Sequence, residues 1–373
     1  MLDTSQKFFD LFLRGLEANA PGIVECLSVI PVSRSCYKRK LVRTETELCG
    51  TIRYTYVGFV NFPVVKTLIC RHKISRQIRK FIKRHKGEDI RIICDPLMAE
   101  GSVPAVRLGK RHGVTTVGFL TDMPDFANNF TPHGLFKALL YRLYNKKCYR
   151  ALKAFDRYIF LTEAMSGFID SRKPWMLLEC IVEAEDESGA GKYDKAVPPV
   201  VMYAGKCHRE FGLDLLKDAA ALVKNPCVFE IYGDGNYMDE LMRASAENPK
   251  LKVFGVRPLD EIMALERRAS LLVNPRPSAG EFTKYSFPSK TAEYMYSGTP
   301  VLMFRLPGIP AEYDEYLYYA EEETAASIAR AVDMLLEEDP VVLRERGEKA
   351  KAFIIRNKNN AEQARRVIEF LNT

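Results

Sequence analysis

The chain has 373 residues, of which 47% are hydrophobic and 28% charged, a balance that allows two folded domains and excludes a disordered chain. No run is apolar for the length that a bilayer crossing needs, and nothing at Met1 has the form of a signal peptide, so a cytoplasmic location is expected. The net charge of +7 is uneven: residues 1–180 hold 30 Lys and Arg against 16 Asp and Glu, and the remainder holds 25 against 32. An anionic partner is therefore sought in the first half.

In chain order, the first pattern is a helix, TSQKFFDLFLRGLEAN. Strand-like apolar runs follow (IVECLSVIPV, YTYVGFV, IRIICDP, TTVGFLT, RYIFLTE, PWMLLECI), with helical spacing in KISRQIRKFIKRHK, VPAVRLGKRHG and GLFKALLYRLYNKKCYRALKAF. Such alternation predicts an α/β fold with parallel sheets covered by helices on both faces. Residues 182–199 are acidic, Gly-containing and close on Pro, which marks a linker. A second series of strands (PVVMYAG, VFEIYGDG, KVFGV, SLLVNP, PVLMFR, YLYYAEE) alternates with helices, and residues 339–372 keep helical spacing. Two Rossmann-like domains are predicted, at 1–181 and 200–350.

The nine cysteines show no CxxC pair or Cys/His cluster, and Cys26, Cys70, Cys94, Cys180, Cys207 and Cys227 lie in apolar runs. Reduced thiols account for them, and neither a disulfide nor a zinc site is expected. Two stretches, one from Arg71 to Lys86 and one from His133 to Phe155, interleave Lys and Arg with apolar residues at helical spacing. An anionic membrane surface and a solvated helix face both fit this pattern; the aromatic residues fall at core spacing, and no nucleic-acid motif is present.

The most specific stretch is NPRPSAGEFTKYSFPSKTAEYMYSGTPV, residues 274–301. It predicts a buried strand, a polar loop and a helix opened by Phe287, Pro288, Ser289 and Lys290 and closed at Gly298. Free N–H groups at that helix start make an anion site, with Arg276 and Lys290 adding charge and Glu293 placed one turn in to bind vicinal hydroxyls. A nucleoside diphosphate combines those features. Gly205 and Lys206 end a strand where the backbone can approach a phosphate, with Arg209 beside them. The Gly233, Asp234, Gly235 turn lacks the third glycine of a nicotinamide fingerprint. Asp122 ends a strand of the first domain, where open α/β sheets bind ligands, and it equally suits a turn before Pro124. Asp95 has the same two readings. Glu163 is expected as a helix-cap neighbour of Thr162.

EYMYSGTPV resembles the "E-A-M-A-x-G-x-P-V" signature of group 1 retaining glycosyltransferases, and NPRPS with SFPSKTAEYMYSGTPVL is similar to their exopolysaccharide and capsule biosynthesis branch. The resemblance implies a GT-B fold, with a helix at 351–373 returning to the first domain. It implies a nucleotide diphosphate sugar donor on the second domain, a lipid-linked or polysaccharide acceptor near Asp122 on the first, and retention; no Asp-x-Asp follows an apolar strand, so transfer without metal or cofactor is expected. It assigns Asp122, Arg209, Lys290 and Glu293 to catalysis. Gly205, Lys206, Gly233, Gly255, Val256, Arg276, Tyr285, Phe287, Pro288 and Ser289 fall to donor binding, with Gly255 and Val256 meeting the base. The chain departs from the family pattern at Tyr285, Phe211 and Thr121, where Glu, Lys and His are usual. The family's first strand and Gly-rich turn, which precede its first helix, are expected to be missing. A sugar-nucleotide 2-epimerase and an inactive nucleotide-sugar-binding subunit are the alternatives.

Overall fold

The computed structural model describes residues 4–30, 39–62, 65–125, 135–183 and 194–373. The chain divides into two compact units, Met1–Ile181 with Asn360–Thr373, and Val182–Asn359. His133 lies outside the described residues, as do 184–193 of the predicted linker.

The first unit begins with α1 (Thr4–Asn19), followed by β1 (Glu25–Ser28), β2 (Glu45–Cys49), β3 (Ile52–Tyr56), α2 (Val65–Arg84), β4 (Arg91–Cys94), α3 (Ala99–His112), β5 (Thr115–Leu120), α4 (Leu135–Leu152), β6 (Arg157–Phe160) and β7 (Trp175–Leu177). Strands β4, β5, β6 and β7 pair in parallel in that order. Their apolar residues make β5 and β6 buried along nearly their whole length. Phe119 of β5 makes T-shaped contacts with Phe8, Phe9 and Phe12 of α1, with ring centroids 5.7, 5.4 and 5.2 Å away. The other three strands form a separate sheet, β1-β3-β2, in which β2 runs antiparallel to β3. Cys49 faces Ile52, so Gly50 and Thr51 make the hairpin turn, with Gly50 at φ +60 as such a turn requires. This hairpin departs from the expected all-parallel arrangement: Glu45–Cys49 is exposed throughout and lacks the apolar pattern of a buried strand.

The second unit holds β8 (Val200–Lys206), α5 (Leu213–Leu222), β9 (Val228–Asp234), α6 (Met238–Glu247), β10 (Leu251–Phe254), α7 (Leu259–Arg268), β11 (Leu271–Asn274), α8 (Ser289–Ser297), β12 (Val301–Met303), β13 (Tyr318–Tyr319), α9 (Ala325–Glu337) and α10 (Pro340–Lys358). The sheet is parallel with strand order β10-β9-β8-β11-β12-β13. The chain winds outward from β8 to one edge, returns to β11, and winds to the other edge. Such an order reverses between β8 and β11, and open α/β sheets bind ligands in the crevice beyond the carboxyl ends of the strands at such a point.

The helical pattern over 339–372 is two helices. α10 ends before Asn359, whose backbone is extended, and α11 (Asn360–Asn372) packs against α1 in the first unit. At the start of the linker stretch, Val182 N–H donates to the Lys358 carbonyl. At its other end Lys195 donates to the carbonyls of Arg267 and Ala269, closing the carboxyl end of α7.

Candidate functional site

The site grows from the ladder between β8 and β11. The Val200 carbonyl accepts from Ser270 N–H, and the strands pair Val201 with Leu271 and Met202 with Leu272. Among the described residues this ladder goes no further, although β8 continues to pair with β9 as far as Lys206 and Asp234. Backbone groups alternate sides along a strand, so Ala204 presents its N–H and C=O towards β11 as Val200 does. Tyr294 of α8 takes both: its hydroxyl accepts from Ala204 N–H at 2.9 Å and donates to the Ala204 carbonyl at 3.3 Å. Tyr294 is fully buried.

Lys290 stands one helical turn before Tyr294, as i and i+4 residues do. Its ammonium also donates to the Ala204 carbonyl and lies 5.4 Å from the centre of the Tyr203 ring. Gly205 is at φ +155, and a Cβ there would collide with Lys290 Nζ. Gly233 is equally constrained, since a Cβ would strike the Gly205 carbonyl. Burial pushes the Lys290 ammonium below the usual lysine range, while the carboxylates of Glu293 and Glu266 oppose that shift. Burial likewise raises the neighbouring Cys207 thiol to about 11, so it stays protonated at neutral pH.

Arg276 lies over the rings of Phe282 and Phe211, at 4.6 and 5.6 Å, and Nη2 donates to Ser286 Oγ at 3.2 Å. Lys206 is exposed at the tip of β8, and Arg209 is exposed in the turn that follows, with Nε donating to Asp214 Oδ2 at 3.2 Å. A Cβ on Gly212, at φ +80, would meet the Pro275 carbonyl, so the loops after β8 and β11 touch. Ser289 is exposed at the first turn of α8, Pro288 precedes it in extended conformation, and Glu293 is exposed one turn in. Phe287 turns inward to the Tyr313 ring at 5.4 Å. Tyr285 closes the short 3-10 turn Glu281–Tyr285. Gly255 and Val256 are exposed beyond β10, an edge strand two places from β8. α8 ends at Gly298 in left-handed conformation (φ +79), and Gly347 of α10 packs so closely on the Gly298 carbonyl that no side chain fits.

Asp122 belongs to the first unit, where its Oδ1 accepts from Met123 N–H at 2.7 Å. Asp95, at the end of the adjacent strand, accepts from Leu97 N–H at 2.8 Å. Burial, with Asp122 nearby, raises its carboxyl to about 6. Thr162 leads into a 3-10 turn, but its side chain accepts no capping bond from the turn's N–H groups, so the expected cap is absent. The sequence reading missed Tyr294 as a site residue. Its only signal was a tyrosine four residues after Lys290, and the Ala204 peptide it meets lies on a strand ninety residues earlier.

Residues 198–338 match the family model described as glycosyl transferases group 1. That segment of the second unit is similar to this family. It coincides with the six-stranded sheet and contains the whole β8–β11 crevice. No curated protein sequence matches the chain. Among solved structures, it is similar to the Anabaena protein HepE in complex with UDP, at 14% identity and TM-score 0.62, over 87% of this chain and 86% of that one. It is also similar to a sucrose-phosphate synthase from Thermosynechococcus elongatus, at 12% identity and TM-score 0.67, over 99% and 93%. OtsA in its apo form gives 12% identity and TM-score 0.70, over 100% and 97%. At these identities the likeness shows the fold, which is GT-B, with two Rossmann-like units. Lys290, Gly205 and the start of α8 all lie within the matched segment.

Proposed function

We propose that this glycosyltransferase moves a hexose-type sugar from a nucleoside diphosphate donor to a lipid-linked or polysaccharide acceptor, with retention of anomeric configuration, in surface polysaccharide biosynthesis. One observation carries the donor assignment: a partly buried lysine held over a glycine turn at the reversal point of the sheet, on the first turn of α8. As the glycosidic C–O bond breaks, negative charge grows on the departing diphosphate. Lys290, the free N–H groups of α8 and the nearby Arg276, Lys206 and Arg209 are placed to stabilise it without a metal. Glu293 then meets ribose hydroxyls, and the exposed backbone at Gly255 and Val256 meets the base. UDP is the first base to try, since HepE was solved with it. In this reading the acceptor binds the first unit near Asp122. The exposed basic and apolar residues of α2 and α4 rest on an anionic membrane, and among the described residues no helix is long and apolar enough to cross one.

The test is a thermal-shift titration with UDP, GDP and ADP, in the presence and absence of EDTA. A ligand at 100 times its Kd adds about 2.7 kcal/mol of stability. One nucleotide is expected to raise Tm, with EDTA making no difference and Lys290→Ala and Glu293→Ala each abolishing most of the shift. A folded protein that responds to none of the three would remove the donor assignment.

A further inference from the structure

We infer that Tyr294 is a positioning residue for Lys290: its phenol props open the end of β8, so that the ammonium stays over Gly205, where the donor diphosphate would lie. The inference rests on the donor site proposed above and adds a residue to it. Had β8 and β11 stayed zipped, Ala204 N–H and C=O would be spent on strand pairing, and the crevice would close. The Tyr294 hydroxyl occupies the place of the absent ladder partner, satisfying both groups at 2.9 and 3.3 Å. A buried amide left without such a partner is costly, so the strand end would otherwise shift until it found one.

The consequence for Lys290 is geometric. Its ammonium shares the same carbonyl oxygen and is in contact range of Gly205, so any movement of the Ala204 peptide moves the lysine. Tyr294 is fully buried and α8 is backed by α10 through Gly347, so the phenol is a fixed point rather than a mobile contact. The ring is too deep to touch a ligand itself. Its effect must pass through the strand end and Lys290.

A double-mutant cycle on the full chain separates this role from general support of the fold. Binding of UDP, GDP and ADP is measured by calorimetry, and the tightest of the three is carried through Tyr294→Phe, Lys290→Ala and the double variant, each checked as folded by circular dichroism. Tyr294→Phe is expected to loosen binding about tenfold in the presence of Lys290 and less than twofold in the Lys290→Ala background. Equal losses in both backgrounds, or no loss in the first, would overturn the inference and leave the donor site standing. If the wild type binds none of the three, the donor site fails and the role of Tyr294 falls with it. Should Tyr294→Phe not fold, 3-fluorotyrosine placed at position 294 keeps the ring and weakens the acceptor oxygen. It is expected to loosen binding two- to threefold only when Lys290 is present, and an equal loss without Lys290 overturns the inference.

Discussion

Lys290 is partly buried at the strand end to which it bonds, and that location has a pH signature. Its ammonium loses its proton below the usual lysine range because burial penalises the charged form. If the charged form is what meets the diphosphate, nucleotide affinity falls as pH rises through that depressed value. The loss should then begin on the alkaline side well before an exposed lysine would titrate. Lys290→Arg keeps the charge throughout, so its affinity is expected to stay level from pH 7 to 10 while the wild type weakens by tenfold or more. Calorimetric titration at each pH measures both. At this scale the sequence was only partly legible. The helix start at Ser289 and the cation at Lys290 follow from local chemistry, because Pro, Ser and a later Gly punctuate a helix wherever they occur. The partner of Tyr294 does not, since it is fixed by the register of a distant strand and by where a ladder stops.

Between elements, close approach decides the sign of some changes. Gly15 lies within α1, where Gly→Ala ordinarily stabilises a helix by about 1 kcal/mol. Here a Cβ would run into the Asn360 backbone carbonyl of α11. Asn19 holds the same junction, donating to the Gly15 and Ala361 carbonyls at 2.9 and 2.8 Å. Gly15→Ala is therefore expected to lower Tm by several degrees, and thermal unfolding checks the reversal. The alternating strands and helices of the second unit were readable because each strand is a continuous apolar run between turn residues. β2 was not. Its residues Glu45, Thr46, Glu47, Leu48 and Cys49 are all exposed and show no alternation, so only the pairing with β3 across Gly50 and Thr51 makes them a strand.

Over the whole chain, the excess of positive charge in the first half meets exposed leucines on α4. Leu139 and Leu143 are four residues apart and 55% and 49% exposed, with Arg142, Lys146 and Lys147 exposed among them. Bases near an anionic surface contribute roughly 1 kcal/mol each, and salt screens them. The chain is expected to float with vesicles containing phosphatidylglycerol and not with neutral ones, and 0.5 M salt should release it. Leu139→Asp with Leu143→Asp should weaken attachment at least tenfold without changing nucleotide binding, since neither side chain is in the core.

The return of α11 to α1 also sets an order of events during synthesis. Domains usually fold from the amino terminus as the chain leaves the ribosome. Here the first unit is discontinuous, and its core cluster of Leu11, Phe12, Leu16 and Val117 includes Ala364, Val367 and Leu371. The second unit is encoded entirely between the two parts. It can be finished while the unit translated before it still waits, its apolar helix face uncovered, for the residues that close it. The part of the chain that is made first is the part completed last.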